Sequence, residues 1–224
     1  MLPARSGHTR AVSQLRLGDG DGTAAAYVPP RPTIPKLRDA AGGCRACPLW
    51  QTGTQTVFGE GAPDADVVFV GEQPGDQEDL AGRPFVGPAG KLLDRALAET
   101  EIDRAQVYVT NVVKHFKWQA RGKRRIHQKP SWNEIAACRP WLDAELALLQ
   151  PRVLVCLGST AAQALLGKQF RVTRQRGELV ESPLAPSVLA TVHPSSILRA
   201  DDREHEYDEF VRDLRRVAAV IQGS

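Results

Sequence analysis

Apolar residues along the chain fall into short runs that are separated by longer periodic segments. Four of these runs predict buried strands at residues 66–71, 106–113, 152–158 and 187–193. Helical patterns follow the runs in "AGKLLDRALAET", "SWNEIAACRPWLDAELALL", "STAAQALLG" and "EYDEFVRDLRRVAAVI". Alternating strands and helices favour a parallel sheet covered on both faces, with right-handed crossovers. The sequence therefore predicts an α/β fold with three layers, α/β/α, and a central four-stranded parallel sheet.

The segment before these elements has a different composition. Residues 1–36 include "GDGDGT" and "YVPPRPTIPK", which combine Gly, Pro and scattered charge without sustained periodicity. We predict a mostly disordered tail at 1–36 and one domain at 37–224, since 42% hydrophobic residues can fill a single core. No apolar run reaches the length of a membrane span, and the N-terminus lacks a secretory pattern. We expect a cytoplasmic protein that makes no membrane contact.

Polar residues stand where three of the predicted strands end. Glu72 follows the first strand, Asn111 lies near the end of the second, and His193 comes as the fourth strand finishes. Each alone has a structural explanation, as a loop carboxylate, a turn former and a histidine before proline. Because the carboxyl ends of parallel strands share one edge of the sheet, we expect these side chains to form a common site.

The segment "GKRRIHQKP" follows the second predicted strand. Residues 114–129 are rich in Lys and Arg and contain no acidic residue, although the net charge of the chain is only +3. Ser131 and Glu134 form an S-x-x-E capping box, so His127 lies on the loop before a helix. Composition alone leaves two interpretations open, a solvated basic loop or a surface for nucleic acid. His127 could pack in this loop, contact phosphate or take part in chemistry.

The chain contains four cysteines. Cys44 and Cys47 form a C-x2-C pair before the first strand, Cys138 falls in the helix after the second, and Cys156 lies in the third strand. In a reducing compartment such cysteines favour metal ligation over disulfides. Zinc and an iron-sulfur cluster both fit this spacing, and Cys138 and Cys156 could also be ordinary buried thiols.

Five ordered motifs carry a family resemblance: "GEQPGDQEDLAGRPFVGPAGKLLDRAL", "VTNVVKHFKW", "GKRRIHQKPS", "ACRPWL" and "ATVHPSS". Over residues 40–221 the chain resembles the uracil-DNA glycosylase superfamily, enzymes of DNA repair, and looks nearest to its iron-sulfur family 4. Its "KRRIH" loop looks like that of UdgX-type glycosylases, which become covalently attached to uracil-containing DNA through this histidine. The resemblance implies a 4Fe-4S cluster on Cys44, Cys47, Cys138 and Cys156.

The same resemblance implies a role for each residue that matches a family motif. Glu72 would be the acidic residue of the first motif, Gln73 would line the uracil pocket, Phe85 would stack on the base, Asn111 would read its edge, His193 would assist its departure, and His127 would be the nucleophile. Lys123, Arg124 and Arg125 would hold the loop and nearby DNA phosphates, a role in which cations position the chain without reading sequence.

The expected function is excision of uracil from DNA, followed by a single-turnover covalent bond between His127 and C1′ of the abasic sugar. A first alternative is a conventional glycosylase of the family 4 kind that uses water, in which His127 only lines the pocket. A second is an iron-sulfur DNA-binding module without chemistry, against which "GEQPG" and "HPSS" argue. The expected partner is uracil-containing DNA. We expect the single-stranded form, with double-stranded DNA as the alternative, and we expect the protein to be a monomer.

Overall fold

The computed structural model describes residues 22–223, which contain a central mixed sheet and a separate two-stranded hairpin. In chain order the strands are β1 (Glu60–Gly61), β2 (Val67–Gly71), β3 (Val107–Asn111), β4 (Trp118–Arg121), β5 (Arg124–His127), β6 (Val153–Leu157), β7 (Leu179–Ser182) and β8 (Ala185–Thr191). The sheet has the order β1-β3-β2-β6-β8-β7. Its four inner strands, β3, β2, β6 and β8, pair in parallel, which confirms the predicted sheet.

Helices cover both faces of this sheet. They are α1 (Ile34–Ala41), α2 (Asp76–Ala81), α3 (Pro88–Glu99), α4 (Trp132–Leu149), α5 (Ser159–Leu166), α6 (Val172–Gln175), α7 (Pro194–Ile197) and α8 (Arg203–Gln222). Short 3-10 helices occupy Ala24–Tyr27, Pro48–Gln51 and Arg104–Gln106. Ser131 caps α4 as predicted: its hydroxyl accepts the N–H of Glu134, whose carboxylate in turn accepts the N–H of Ser131.

The two faces of the sheet build two apolar cores. On β2, Val68 and Val70 face a core that includes Trp141 of α4, whereas Val67 and Phe69 face the core of α3, α7 and α8. Because strand residues alternate between faces, a strand buried on both sides reads as a continuous apolar run. This is why the inner strands are visible in the sequence and why the three-layer α/β/α prediction is confirmed.

Three features differ from the sequence prediction. The antiparallel edge strands β1 and β7 are too short or too polar to show a strand pattern. The "KRRIH" segment, predicted as a loop, forms a hairpin of β4 and β5 that turns at Gly122, where φ is +60°. Within the predicted tail, Ala24 is fully buried and α1 begins at Ile34, so the ordered domain starts earlier than residue 37. Residues 1–21 of that predicted tail lie outside the described residues.

In the described part of the chain, no helix is both long and apolar enough to cross a membrane.

Candidate active site and cysteine cavity

A cavity of about 660 Å³ opens at the carboxyl edge of the parallel strands. Loops leaving β2, β3, β6 and β8 all contribute to its walls, as expected for an open parallel sheet. Six residues that the sequence assigned to catalysis or uracil binding line this one cavity: Glu72, Gln73, Phe85, Asn111, His127 and His193. The fold therefore brings together side chains that span most of the domain in sequence.

Glu72 links the two sides of the cavity. Its Oε1 lies 3.3 Å from Nε2 of His127, the last residue of β5. Its Oε2 accepts a short hydrogen bond from the hydroxyl of Thr160, near the start of α5. Burial lowers the pKa of His127, with the Glu72 charge opposing this shift and the Arg199 charge reinforcing it. The pair therefore consists of a fixed carboxylate beside an imidazole that favours its neutral form.

His193 is held in one tautomer by the turn that follows β8. Its Nδ1 lies 3.1 Å from the backbone N of Ser195, so Nδ1 must accept that N–H and the ring hydrogen must be on Nε2. Burial is the largest cause that lowers the pKa of His193 to about 4, and the charges of His127 and Arg199 add to it. At neutral pH the site therefore presents a neutral imidazole with an N–H donor.

Phe85 and Asn111 form an apolar and an amide surface at the floor of the cavity. The Phe85 ring lies 6.1 Å from that of His193, centroid to centroid, and the planes are inclined by 28°. Phe85 has a φ of +56°, a left-handed conformation that costs an ordinary residue about 1–3 kcal/mol. A Cβ on Gly71 would lie 2.3 Å from Oδ1 of Asn111, so only glycine leaves room for this amide.

Gln73 has a structural role in addition to its predicted place in the cavity wall. It does line the cavity, but its amide is committed to the two ends of the hairpin. Its Nε2 donates to the carbonyl oxygens of Lys117 and Gln128, and its Oε1 accepts the N–H of Lys117. Gln73 therefore fixes the base of the hairpin that carries His127, and its polar atoms are already satisfied.

The predicted DNA-binding cations separate into two kinds. Arg125 donates to Asp76 and Asp79 of α2 at 2.6 Å each, and also contacts Thr54. Its side chain is only 19% exposed, and these contacts anchor the hairpin to α2. Lys123 and Arg124 are exposed at the hairpin turn. DNA contact stays a prediction for all three cations, and Arg125 has an anchoring role within the protein as well.

Two further cations of the basic run are also engaged. Lys114 is 1% exposed and its Nζ lies 2.5 Å from Oε2 of Glu145 inside the core. Lys117 lies 2.8 Å from Glu134 of α4. The run of cations in the sequence is therefore not one continuous surface, because long-range carboxylates that the local sequence cannot reveal neutralise part of it.

Sequence reasoning missed two residues of the cavity. Thr160 holds Glu72, and Arg199 lines the wall near both His127 and His193. Thr160 is the third residue after β6, so a search for polar residues beyond strand ends could have identified it. Arg199 lies six residues beyond His193, after α7, and no local pattern indicates that it returns to the site.

A second, smaller cavity lies between the loop before β1, the exit of β3 and α4. Its lining includes Cys44, Cys47 and Cys138 but not Cys156. The charges that affect the pKa of Cys138 include those of Cys44 and Cys47, whereas burial is the only cause that raises the pKa of Cys156. The structure thus brings three predicted ligands together and leaves Cys156 apart, in the middle of β6.

His115 completes the wall of this cysteine cavity. The Thr56 hydroxyl donates to the carbonyl oxygen of Ala41 at 3.0 Å and lies 2.9 Å from Nε2 of His115. Because that hydroxyl has one hydrogen, it must accept the Nε2–H, which leaves the Nδ1 lone pair available to a metal. His115, in "VVKH", was not among the metal ligands predicted from the sequence, which were all cysteines.

The donors of the cysteine cavity surround a space rather than a point. Within residues 22–223, no three His, Cys, Asp or Glu side chains converge in the manner that one metal ion requires. The backbone N–H of Lys114 donates to Sγ of Cys138 at 3.3 Å, a contact of the kind that hydrogen-bonded cluster sulfurs make. Thiols and an imidazole nitrogen are donor types that both zinc and iron-sulfur clusters take.

The fold and the cavity define an α/β protein with a polar binding site at the carboxyl ends of its parallel strands. Residues 58–215 match the Uracil DNA glycosylase superfamily. A protein of Thermotoga maritima named Type-4 uracil-DNA glycosylase is 39% identical over 181 residues, which cover 80% of this chain and 90% of that protein. A Sulfurisphaera tokodaii protein of the same name is 34% identical over 194 residues, covering 83% and 85%.

A more distant relative, named Type-5 uracil-DNA glycosylase, comes from Thermus thermophilus and is 34% identical over 137 residues, 54% of this chain and 58% of that protein. The chain belongs to the uracil DNA glycosylase superfamily, and within it the chain is similar to type-4 members.

Proposed function

We propose that this protein excises uracil from DNA by cleaving the N-glycosidic bond. One observation carries the proposal: a single cavity contains a carboxylate, an amide, a neutral imidazole donor and an aromatic ring, in Glu72, Asn111, His193 and Phe85. The names of the relatives support uracil as the base. A glycosylase must take its target base out of the stack and hold it in such a pocket.

Phe85 and Asn111 would select the base. The buried ring of Phe85 offers a face for stacking, and the Asn111 amide carries both a donor and an acceptor for the adjacent N–H and C=O of uracil. Cytosine presents a different pattern to a fixed amide and would leave its polar atoms unpaired. The Asn111 side chain is buried and lies against Gly71, which restricts its movement, and a fixed amide is the condition for this discrimination.

Glu72 and His193 would stabilise the charges that form as the bond breaks. The electron pair of the C1′–N1 bond leaves with uracil, so the base becomes anionic and the sugar oxocarbenium-like. The Nε2–H of His193 can donate to a uracil carbonyl oxygen, and one such donor contributes about 3 kcal/mol in comparable sites. Glu72 provides the negative charge that faces the sugar.

The sugar cation can then react with water or with His127. A water mechanism fits the type-4 names of the relatives and needs no residue beyond those above. Covalent capture by His127 is supported by the geometry, because its imidazole lines the same cavity beside Glu72 and favours the neutral form. In that step the ring lone pair forms an N–C1′ bond, the imidazole loses one proton, and the uracil anion gains one.

A denaturing gel with an end-labelled uracil oligonucleotide tests both steps, beside a thymine oligonucleotide. Uracil release is the expected result for the wild type, and its absence would overturn the proposed function. A heat-stable shifted band that is lost in His127→Ser but kept in His205→Ser, which changes an exposed histidine of α8, would establish capture. Multiple turnover without a band would establish the water mechanism, and a band that survives in His127→Ser would exclude His127 as the linking residue.

We also propose that the cysteine cavity holds an iron-sulfur cluster on Cys44, Cys47, Cys138 and His115, in place of the predicted set with Cys156. Such a group would cross-link the loop before β1, the exit of β3 and α4. Its role would be structural, because excision as described above requires no electron transfer.

A further inference from the structure

Trp132, the first residue of α4, exposes a large aromatic ring outside the cavity. The residue is 38% exposed, and Nζ of Lys168 lies 5.4 Å from the centre of its ring. A tryptophan at the first turn of a helix has no capping role, since Ser131 and Glu134 already satisfy that end of α4. The proposed excision chemistry does not use this side chain either.

The contact between Trp132 and Lys168 joins two segments that wall the active-site cavity. Trp132 follows the hairpin that ends at His127, and Lys168 lies between α5 and α6. Thr160 of α5 binds Glu72, and Val172 of α6 lines the cavity. Neither Trp132 nor Lys168 lines the cavity itself, but each belongs to a segment next to residues that do, so the ring is placed to meet a strand whose target nucleotide occupies the cavity.

The surroundings of Trp132 suit a polyanion. Lys168, which contacts the ring, and Lys129, three residues before Trp132 in the chain, are both exposed. The one carboxylate on the first turn of α4, that of Glu134, is paired with Lys117 and with the N–H of Ser131. An exposed aromatic ring among cations is the arrangement by which proteins bind single-stranded DNA, with bases stacked on the ring and phosphates held by the cations.

We propose that Trp132 is a stacking platform for a base that neighbours the target uracil in single-stranded DNA, with Lys129 and Lys168 holding the adjacent phosphates. The proposal rests on the proposed function, because it takes the cavity as the uracil site. A base in a duplex has both faces covered by its neighbours, so the platform favours single strands. The cation-π contact of Lys168 is weak at an exposed position, and a base can replace it.

Binding of a labelled oligothymidylate of about twelve nucleotides tests the platform without uracil or excision. Trp132→Ala should weaken binding about tenfold, whereas Trp132→Phe, which keeps a flat ring, should stay within about threefold of the wild type. Tyr27→Ala is the matched control, because Tyr27 is an aromatic residue 37% exposed on the separate 3-10 helix Ala24–Tyr27. Equal affinity of Trp132→Ala and the wild type would overturn the proposal.

Uracil oligonucleotides with one abasic neighbour show whether the ring contacts a base. In single-turnover excision on the full single strand, Trp132→Ala should have an apparent affinity about tenfold lower than that of the wild type. On the strand that lacks the stacked base, the two proteins should have equal affinity. A loss of the same size on every strand, whichever neighbour is abasic, would contradict base stacking. Uracil release by the wild type is read in the same experiment, so failure of the platform and failure of the proposed function are distinguishable.

Discussion

The active-site cavity and the cysteine cavity are neighbours at the exit of β3 but are built in different ways. Asn111 at the end of β3 lines the first, and His115, four residues later, lines the second. Glu72, Asn111 and His193 of the active-site cavity lie at or just after strand ends, so the register of the sheet positions them. Residues of the cysteine cavity come from a loop, a strand exit and a helix face, and nothing regular aligns them.

The two cavities also differ in whether protein groups alone satisfy their functional side chains. In the active-site cavity the proposed catalytic side chains already have protein partners, as Glu72 has in Thr160 and His193 has in Ser195. In the cysteine cavity, burial raises the pKa of Cys138 to about 12, although Lys114 opposes the shift. A buried protonated thiol stabilises little, whereas a metal centre deprotonates it and gains binding energy that is also folding energy.

The largest expected effect is on iron content, and it should differ between substitutions of Cys138 and of Cys156. Cys138→Ser should abolish the cluster, whereas Cys156→Ala should retain about four iron atoms per chain, because only Cys138 lines the cavity. Iron and labile-sulfide analysis, with visible absorbance, measures the difference. His115→Ala should behave like Cys138→Ser, and His115→Cys should retain iron. Loss of iron in a folded Cys156→Ala protein would mean that Cys156 is a cluster ligand, as the sequence suggested.

A smaller effect should follow from filling the floor of the active-site cavity. Gly71→Ala places a Cβ 2.3 Å from Oδ1 of Asn111, so the amide must move. Displacement of a positioning group by about 1 Å costs on the order of 100-fold in rate, and single-turnover uracil release should fall by about that factor. Gly43→Ala is the control, because its Cβ would make an ordinary 3.7 Å contact. An unchanged rate in Gly71→Ala would mean that Asn111 does not recognise the base.

Substitution of two neighbouring arginines of the hairpin should affect different properties: the stability of the fold for Arg125 and DNA binding for Arg124. Arg125→Ala leaves the fully buried Asp79 without its partner and should lower the free energy of unfolding by about 2–3 kcal/mol, as measured by urea denaturation. Arg124→Ala, at an exposed position, should leave stability within about 0.5 kcal/mol, and should weaken DNA binding and reduce its salt dependence. Equal stability of the two variants would contradict the anchoring role of Arg125.

The sequence predicts the inner sheet and most of the active-site cavity for one physical reason. Strands buried on both faces are continuous apolar runs, and the polar residues that follow them must meet at one edge. The short edge strands and the polar hairpin have no such pattern, because exposed strands of a few residues need not be apolar. Their existence depends on partners that are distant in sequence.

Side-chain partners were harder to predict than positions. The pairing of Arg125 with Asp76 and Asp79, and the burial of Lys114 against Glu145, join residues more than thirty positions apart. Among the metal ligands, spacing identifies Cys44 and Cys47, but it does not show that Cys156 lies apart from them or that His115 lies beside them. Those outcomes depend on which way each side chain points, and the sequence pattern does not contain that information.

The smallest predicted effect concerns the pKa of His127 in the active-site cavity. Its pKa should lie below 6.5, because burial and Arg199 lower it more than Glu72 raises it. The imidazole should therefore be neutral at pH 6.5 and above, and adduct formation, if His127 is the nucleophile, should decline only as the pH falls through that lowered pKa. NMR titration of the His127 ring, assigned with His127→Ser, measures the pKa directly. Arg199→Gln should raise it and Glu72→Gln should lower it, and a wild-type pKa above 6.5 would mean that the Glu72 charge dominates the site.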